Sequence, residues 1–129
     1  MNEHIRHFAQ NVLGCGCPEK VFEHIDCQED VRINGITLTR KINIGNTLLV
    51  YIVEINNPEL LDRLLADLIS KGKQERDGKG FNRLRIVLSN EKPAEIEDRA
   101  HTFFNKLNTD EKIHLHIISL SDLSASGIC

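Results

Sequence analysis

Two cysteines lie one residue apart in the stretch Gly14-Cys15-Gly16-Cys17-Pro18, which we call the cysteine loop. Thiols at this spacing can bind a soft metal as thiolates, or form a disulfide that is readily reduced. The glycines on either side of Cys15 allow the backbone to approach a ligand closely. The cysteine loop is therefore the first candidate for a chemically active site.

The residues that follow the loop favour a reactive Cys17. Pro18 and Glu19 suit the first turn of a helix, because proline needs no backbone donor there and an acidic side chain complements the helix dipole. Cys17 would then cap that helix, where unpaired N–H groups lower the pKa of a thiol. We predict that Cys17 is the reactive thiolate and that Cys15 is the second ligand or resolving thiol.

A metal site needs more than these two thiolates. The candidate ligands beyond Cys15 and Cys17 are Cys27, Cys129, His114 and His116. A helix over residues 18–25 would rise about 12 Å and carry Cys27 away from the cysteine loop. If that segment is not helical, Cys27 can converge on the loop. The two histidines project from one face of the last predicted strand, and they matter only if the loop folds over that face.

A second copy of the cysteine loop, across a dimer axis, would add two thiolates to those of Cys15 and Cys17 and give four thiolate ligands. Such a set suits zinc or an iron–sulfur cluster. The lead hypothesis is accordingly a metal or iron–sulfur site, or thiol redox chemistry, with a homodimer as one way to complete the site. Whether the protein is an enzyme stays open at this point.

The alternative hypothesis is a non-catalytic protein-interaction or scaffold module in which the cysteines are structural. Free cysteines are among the residue types most often buried, and the glycines then serve only a tight turn. The working surface for a protein partner would be a sheet edge or a loop over residues 71–82. The basic residues in and after that segment are interpreted as solvated.

Composition restricts the partners and the compartment. The net charge of −3 gives no electrostatic case for binding nucleic acid or an anionic membrane. No stretch approaches the roughly 20 apolar residues that span a bilayer, and residues 1–7 lack the apolar region of a signal peptide. We therefore expect a cytoplasmic protein, in which cysteines are more often free thiols, metal ligands or redox groups than structural disulfides.

The periodicity of apolar residues predicts an α/β fold. An N-terminal helical segment over residues 1–27 contains helices at 3–13 and 18–25. The period then changes to two, and Asn34-Gly35 is a strong hairpin signal. The unbroken apolar run Leu48 to Ile55 is typical of a central strand that is covered on both faces. One bulged strand over residues 31–42 is the alternative to the hairpin.

Helices and strands alternate in the rest of the chain. A helix is predicted to begin at Pro58 and to end near Gly72, with a mobile glycine-rich loop over residues 71–82. A short strand, a second helix and a last strand follow, and residues 121–129 are predicted to be a flexible tail. The predicted fold is a single α/β domain over residues 1–129. Its N-terminal helices pack on a mixed sheet in which an antiparallel meander leads into a βαβαβ unit.

Overall fold

The computed structural model describes residues 2–16, 18–33, 35–107 and 110–128. In chain order, the regular elements are α1 (Asn2–His7), β1 (Ile25–Ile33), β2 (Ile36–Ile44), β3 (Leu48–Glu54), α2 (Leu61–Lys79), β4 (Arg83–Asn90), α3 (Ala94–Lys106), β5 (Ile113–Ser119) and α4 (Leu120–Ala125). A π-helical turn at Phe8–Val12 continues α1, and 3₁₀ turns lie at Glu19–Glu23 and Pro58–Leu60. Among the described helices, none combines the length and the apolar character needed to cross a membrane.

The five strands form one mixed sheet in the order β1-β2-β3-β4-β5. The first three strands pair antiparallel, and β3, β4 and β5 pair parallel. The parallel pairs follow because α2 and α3 each cross between two successive strands. The α/β fold, with its meander leading into a βαβαβ unit, is therefore confirmed.

The meander begins with the predicted hairpin. Ile33 pairs with Ile36, and Gly35 has a positive φ of 80° that glycine adopts without strain. Asn34, the other half of the hairpin signal, lies outside the described residues. The antiparallel pairing of β1 with β2 excludes the alternative of one bulged strand.

Both faces of the sheet are covered. On one face, Leu84 and Ile86 of β4 pack in a core that includes residues of α2 and α3. On the opposite face, Val87 of β4 packs in a second core with Phe8 and Ile5 from the N-terminal segment. Because of this double cover, every β3 residue except the last is buried, as the apolar run of that strand predicted.

The predicted helix over residues 18–25 is wrong, and with it the helical character of the segment up to residue 27. Only the 3₁₀ turn Glu19–Glu23 is helical, and β1 already begins at Ile25. Cys27 therefore lies on a strand, where it pairs with Ile42. Isolated helices of two turns are marginal, whereas eight of the nine β1 residues pair with β2.

The predicted loop over residues 71–82 is also wrong, because α2 continues to Lys79. Gly72 does not end the helix. A Cβ atom built on Gly72 would lie 2.4 Å from the side chain of Leu84 and 3.1 Å from that of Tyr51. Glycine at this position allows α2 to approach the sheet, and the helix ends instead at Gly80, which has a left-handed φ of 76°.

The last turns of α2 are fixed by polar contacts. Glu75 accepts a hydrogen bond from the hydroxyl of Tyr51 and forms an ion pair with Lys41. The guanidinium of Arg76 is buried and binds both carboxylate oxygens of Asp110, at 2.8 and 2.6 Å. This pairing lowers the pKa of Asp110 to about 2. These contacts join α2 to the sheet and to the segment before β5.

The segment predicted to be a flexible tail contains a helix. Ser119 caps α4 by accepting a hydrogen bond from the backbone N–H of Asp122. Beyond α4, Ile128 is buried in the same core as Phe8. The small polar residues of this segment predicted flexibility. The apolar side chain of Ile128 instead packs the segment after α4 against the N-terminal segment. Cys129 lies outside the described residues.

The two glycines of α2 provide a matched test of where that helix ends. We expect Gly72→Ala to destabilise the protein by about 1–3 kcal/mol, because the added methyl group overlaps the side chain of Leu84. We expect Gly78→Ala to stabilise it by about 0.5–1 kcal/mol, since no atom lies within 4 Å of the added Cβ and alanine is the better helix former. Urea unfolding measures both values. A neutral or destabilising Gly78→Ala would show that the helix does not reach this residue.

Candidate functional site

The cysteine loop folds over the sheet face that carries the two histidines. The backbone carbonyl of Leu13, next to the loop, accepts a hydrogen bond of 2.7 Å from Nη1 of Arg85 on β4. Cys15 and His114 line the same cleft. The histidines were expected to contribute to a site only if the cysteine loop covered their face of the sheet. The structure meets this condition.

The backbone around Cys15 is anchored to the end of the first helical segment. Gly14 has a left-handed φ of 71°, which turns the chain back. The N–H of Cys15 then donates to the carbonyl of Ala9 at 2.8 Å, within the π-helical turn. Cys15 is 8% exposed and belongs to the core of this sheet face. Its position is thus set by local turns and by burial together.

Both cysteines that the structure describes are oxidised. Cys15 and Cys27 each form a disulfide, so neither is a free thiol. This differs from the expectation that free thiols or metal ligands are favoured over disulfides. A sulfur atom in a disulfide carries no thiolate, so it must be reduced before it can bind a metal or act as a nucleophile.

The structure brings some of the predicted ligands together and separates others. Cys15 and His114 share a cleft. Cys27 packs against the same core as Cys15, but its strand β1 lies at the opposite edge of the sheet from β5 and its histidines. In the part of the chain that the structure describes, no group of three His, Cys, Asp or Glu residues could hold one metal ion. Cys17 and Cys129 lie outside that part, so metal binding stays a prediction.

The segment after the cysteine loop does not form the helix that was predicted to lower the pKa of Cys17, a residue outside the described part of the chain. The turn that follows has five residues, and Pro18 occupies its N-cap position without a side-chain hydrogen bond. A short 3₁₀ turn provides far less of the aligned backbone dipole that lowers the pKa of a thiol at a long helix. The charged groups of the sheet that line a cleft with Cys15 are Arg83 and Arg85.

The cleft has a volume of about 400 Å³ and lies at the amino ends of β3, β4 and β5. Its polar or chemically active lining consists of Cys15, Thr47, Asn82, Arg83, Arg85 and His114. None of the described residues that line it is acidic. Ligands of parallel sheets usually bind at the carboxyl ends of the strands. Here the N-terminal segment forms a cleft at the other end.

Arg85 was not among the predicted site residues. It is 8% exposed, and no carboxylate pairs with it among the described residues. Its Nη1 donates to the carbonyl of Leu13 and to Nε2 of His116, whereas its Nε has no hydrogen-bond partner in the described chain. Burial and the nearby charge of Arg83 lower the pKa of Arg85, but a guanidinium stays charged at neutral pH.

The sequence contained a signal that could have identified Arg85. This arginine alternates with Leu84 and Ile86, and alternation on a strand places it on the face opposite to theirs. The strand register puts it directly beside His114 on β5. Arg85 was instead predicted to be solvated, together with the other basic residues in and after the segment 71–82.

The two histidines are held as neutral imidazoles beside this charge. His116 accepts the hydrogen bond from Arg85 through Nε2 at 3.0 Å, so that nitrogen carries no proton. Burial, followed by the charge of Arg85, lowers the pKa of His116 to about 4. Burial and the two arginines also lower the pKa of His114, whose buried Nε2 has no partner within the described residues. The positive charge of the cleft therefore resides on the arginines.

The cleft differs from the other cavities in its unsatisfied polar atoms. The buried side-chain atoms without a hydrogen-bond partner, among the described residues, are Nε of Arg85 and Nε2 of His114, and both residues line this cleft. A larger groove of about 840 Å³ lies between α1 and α4, and acidic and basic side chains line it together. Unsatisfied buried groups are rare in folded proteins, so they favour the smaller cleft as the functional site.

Comparisons with protein-family models, with curated proteins and with solved structures found no match to this chain. Function is therefore inferred from the chemistry of the cleft.

The low pKa of His116 predicts a pH dependence of stability. The unfolded chain takes up a proton near pH 6.5, whereas the folded protein does so only near pH 4. Stability from this group is thus complete above pH 6.5 and is lost as the pH falls toward 4. Between pH 7 and 5, we expect the wild-type protein to lose about 2 kcal/mol more than His116→Gln.

Urea unfolding at several pH values measures this difference. The control is His24→Gln, which removes an exposed histidine and should keep the pH dependence of the wild type. Parallel curves for the wild type and His116→Gln would contradict a half-buried neutral imidazole at this position.

Proposed function

We propose that the cleft is the site of a thiol–disulfide redox function in which Cys15 alternates between disulfide and thiol. One observation carries the proposal: the disulfide-bonded Cys15 shares a cleft with Arg85, a buried guanidinium that has no counter-ion among the described residues. A cationic environment stabilises a cysteine thiolate. Reduction of the disulfide would place such a thiolate in the same cleft as this guanidinium, which favours the reduced state.

The reaction is an exchange between the protein disulfide and external thiols. Two thiols give up two electrons and become a disulfide, and the protein disulfide becomes two cysteine thiols that receive the two protons. The reverse direction oxidises a dithiol substrate. Arg85 acts in either direction by stabilising the negative charge that develops on the sulfur of Cys15.

The proposed compartment is the cytoplasm. Disulfides in that compartment are mostly transient and either catalytic or redox-sensing, because reducing systems keep other thiols reduced. A disulfide whose Cys15 lines a cleft together with arginines fits this class. In an oxidising compartment, the same disulfide could serve only to stabilise the folded protein.

Two other proposals remain for experiment to separate. The reduced protein could bind zinc or an iron–sulfur cluster, since Cys15 and His114 are suitable ligand types in one cleft and a homodimer would supply further thiolates. Alternatively, the protein is an interaction module with structural disulfides, for which the burial of Cys15 is the supporting observation. Most of the loop proposed as its working surface belongs to α2, and a sheet edge is the other surface proposed for a partner.

The reduction potential separates a redox disulfide from a structural one. We expect the disulfide of Cys15 to have a potential between about −270 and −120 mV, whereas structural disulfides lie below about −300 mV. Arg85→Met should make the potential more negative by about 30–60 mV, because the thiolate loses its cationic neighbour. Equilibration with dithiothreitol buffers, followed by mass spectrometry of alkylated Cys15, measures both values.

The matched control is Arg32→Met, which removes an exposed arginine from β1, three strands away from β4. Its potential should equal that of the wild type. A wild-type potential below about −300 mV would establish a structural disulfide and end the redox proposal. Metal analysis of protein that has been reduced and purified without oxygen tests the zinc and iron–sulfur proposals in parallel.

A further inference from the structure

We infer that the cleft binds the acidic group of a small thiol substrate, a carboxylate or sulfonate, and thereby presents the sulfur of that substrate to Cys15. This inference rests on the proposed redox function and names the class of its substrate. It comes from Nε of Arg85 and Nε2 of His114, which have no hydrogen-bond partner in the described chain, and from the position of Cys15 in the same cleft.

The guanidinium of Arg85 is prepared for an anion before any ligand arrives. Its hydrogen bonds to Leu13 and His116 fix its orientation, and folding has already removed most of its surface from water. A buried charge without a counter-ion is costly to the folded protein. A bound oxyanion would neutralise this charge and accept the N–H of Nε, which has no acceptor among the described residues.

His114 supplies a second group for the same anion. It is the direct neighbour of Arg85 across the β4–β5 ladder, and its buried Nε2 is unpaired within the described chain. In the tautomer with a proton on Nε2, a neutral imidazole donates one hydrogen bond to an oxyanion. Arg85 and His114 thus offer two donors from adjacent strands on one face of the sheet.

Charge and size restrict the ligand further. Arg83 is exposed, lines the cleft and follows the same alternation as Arg85, so it adds positive charge near the entrance. The described lining contains no acidic residue that would repel an anion. A volume of about 400 Å³ lies in the range of small-molecule sites. The substrate is therefore a small anion.

The position of Cys15 specifies the chemistry of that anion. The thiolate of the bound substrate attacks Sγ of Cys15, so that an S–S bond forms between them and the electron pair of the broken bond leaves on the former partner sulfur. A second substrate thiolate attacks the substrate sulfur of this mixed disulfide. The substrate disulfide is released, Cys15 leaves as a thiolate, and protons from the two thiols reach the two protein sulfurs.

A series of two-carbon thiols that differ only in charge tests the inference. The probes are 2-mercaptoethanesulfonate, 2-mercaptoethanol and cysteamine, and each rate of reduction of the Cys15 disulfide is divided by the thiolate concentration. We expect the sulfonate to react at least about tenfold faster than the neutral thiol, and cysteamine to react more slowly. The net charge of −3 would on its own produce the opposite order.

Variants assign this preference to the cleft. In Arg85→Met the ratio of the sulfonate rate to the neutral rate should fall to about one, and this ratio cancels any change in the reactivity of Cys15 itself. Arg32→Met, with the same loss of charge on β1, should keep the wild-type ratio. If Arg85→Met does not fold, the order of rates in the wild-type protein still decides the question.

A probe without sulfur chemistry separates anion binding from redox function. Isethionate, the hydroxyl analogue of the sulfonate thiol, should bind the oxidised wild-type protein in calorimetry and should not bind Arg85→Met. Equal rates for all three thiols, with no binding of isethionate, would overturn the inference and leave the redox proposal intact. Arg85-dependent binding of isethionate without reduction by any thiol would overturn the assignment of the anion as a thiol substrate, together with the redox proposal.

Discussion

The hydrogen bond from Arg85 to the carbonyl of Leu13 joins the two parts of the protein on which the proposed site depends. It connects a buried strand of the parallel sheet to the turn that precedes the cysteine loop. The same guanidinium holds His116, and it leaves Nε without a partner among the described residues. The side chain of Arg85 thus holds the turn before the loop against the sheet and places a positive charge in the cleft. A buried charge without a counter-ion is costly, and the structure shows none for Arg85 among the described residues.

Much of the fold followed from periodicity. The apolar run of β3 predicted a strand covered on both faces, and the alternation of apolar stretches predicted parallel crossovers. The errors occurred where a local signal competed with a tertiary contact. Gly72 was interpreted as the end of a helix, but it is the position at which α2 approaches Leu84 and Tyr51. Likewise, Pro18 suggested a helix, whereas pairing with β2 extends the strand back to Ile25. Contacts between residues distant in the sequence decided both positions.

Only part of the candidate site could be predicted from the sequence. The cysteine loop was identifiable by its composition, and the i, i+2 spacing placed His114 and His116 on one face. The spacing of the residues did not reveal that the N-terminal segment would cover the face of the two histidines. That cover depends on a core formed by residues that are distant in the sequence. Arg85 was missed since charged residues are usually solvated, and its burial depends on that cover. Because Arg85 lines the cleft, the candidate reactive thiol is Cys15 in a cationic cleft, in place of Cys17 at a predicted helix end.

The pKa of the Cys15 thiol in the reduced protein tests the central claim most directly. The rate of alkylation by iodoacetamide can be followed from pH 5 to 10, and fragmentation of the labelled peptide distinguishes Cys15 from Cys17. If the cleft supports redox chemistry, the pKa of Cys15 lies below about 7.5, because the cationic neighbour outweighs the effect of burial. A pKa at or above about 8.5, the value of an ordinary cysteine, would mean that burial dominates and that the cleft does not activate this sulfur.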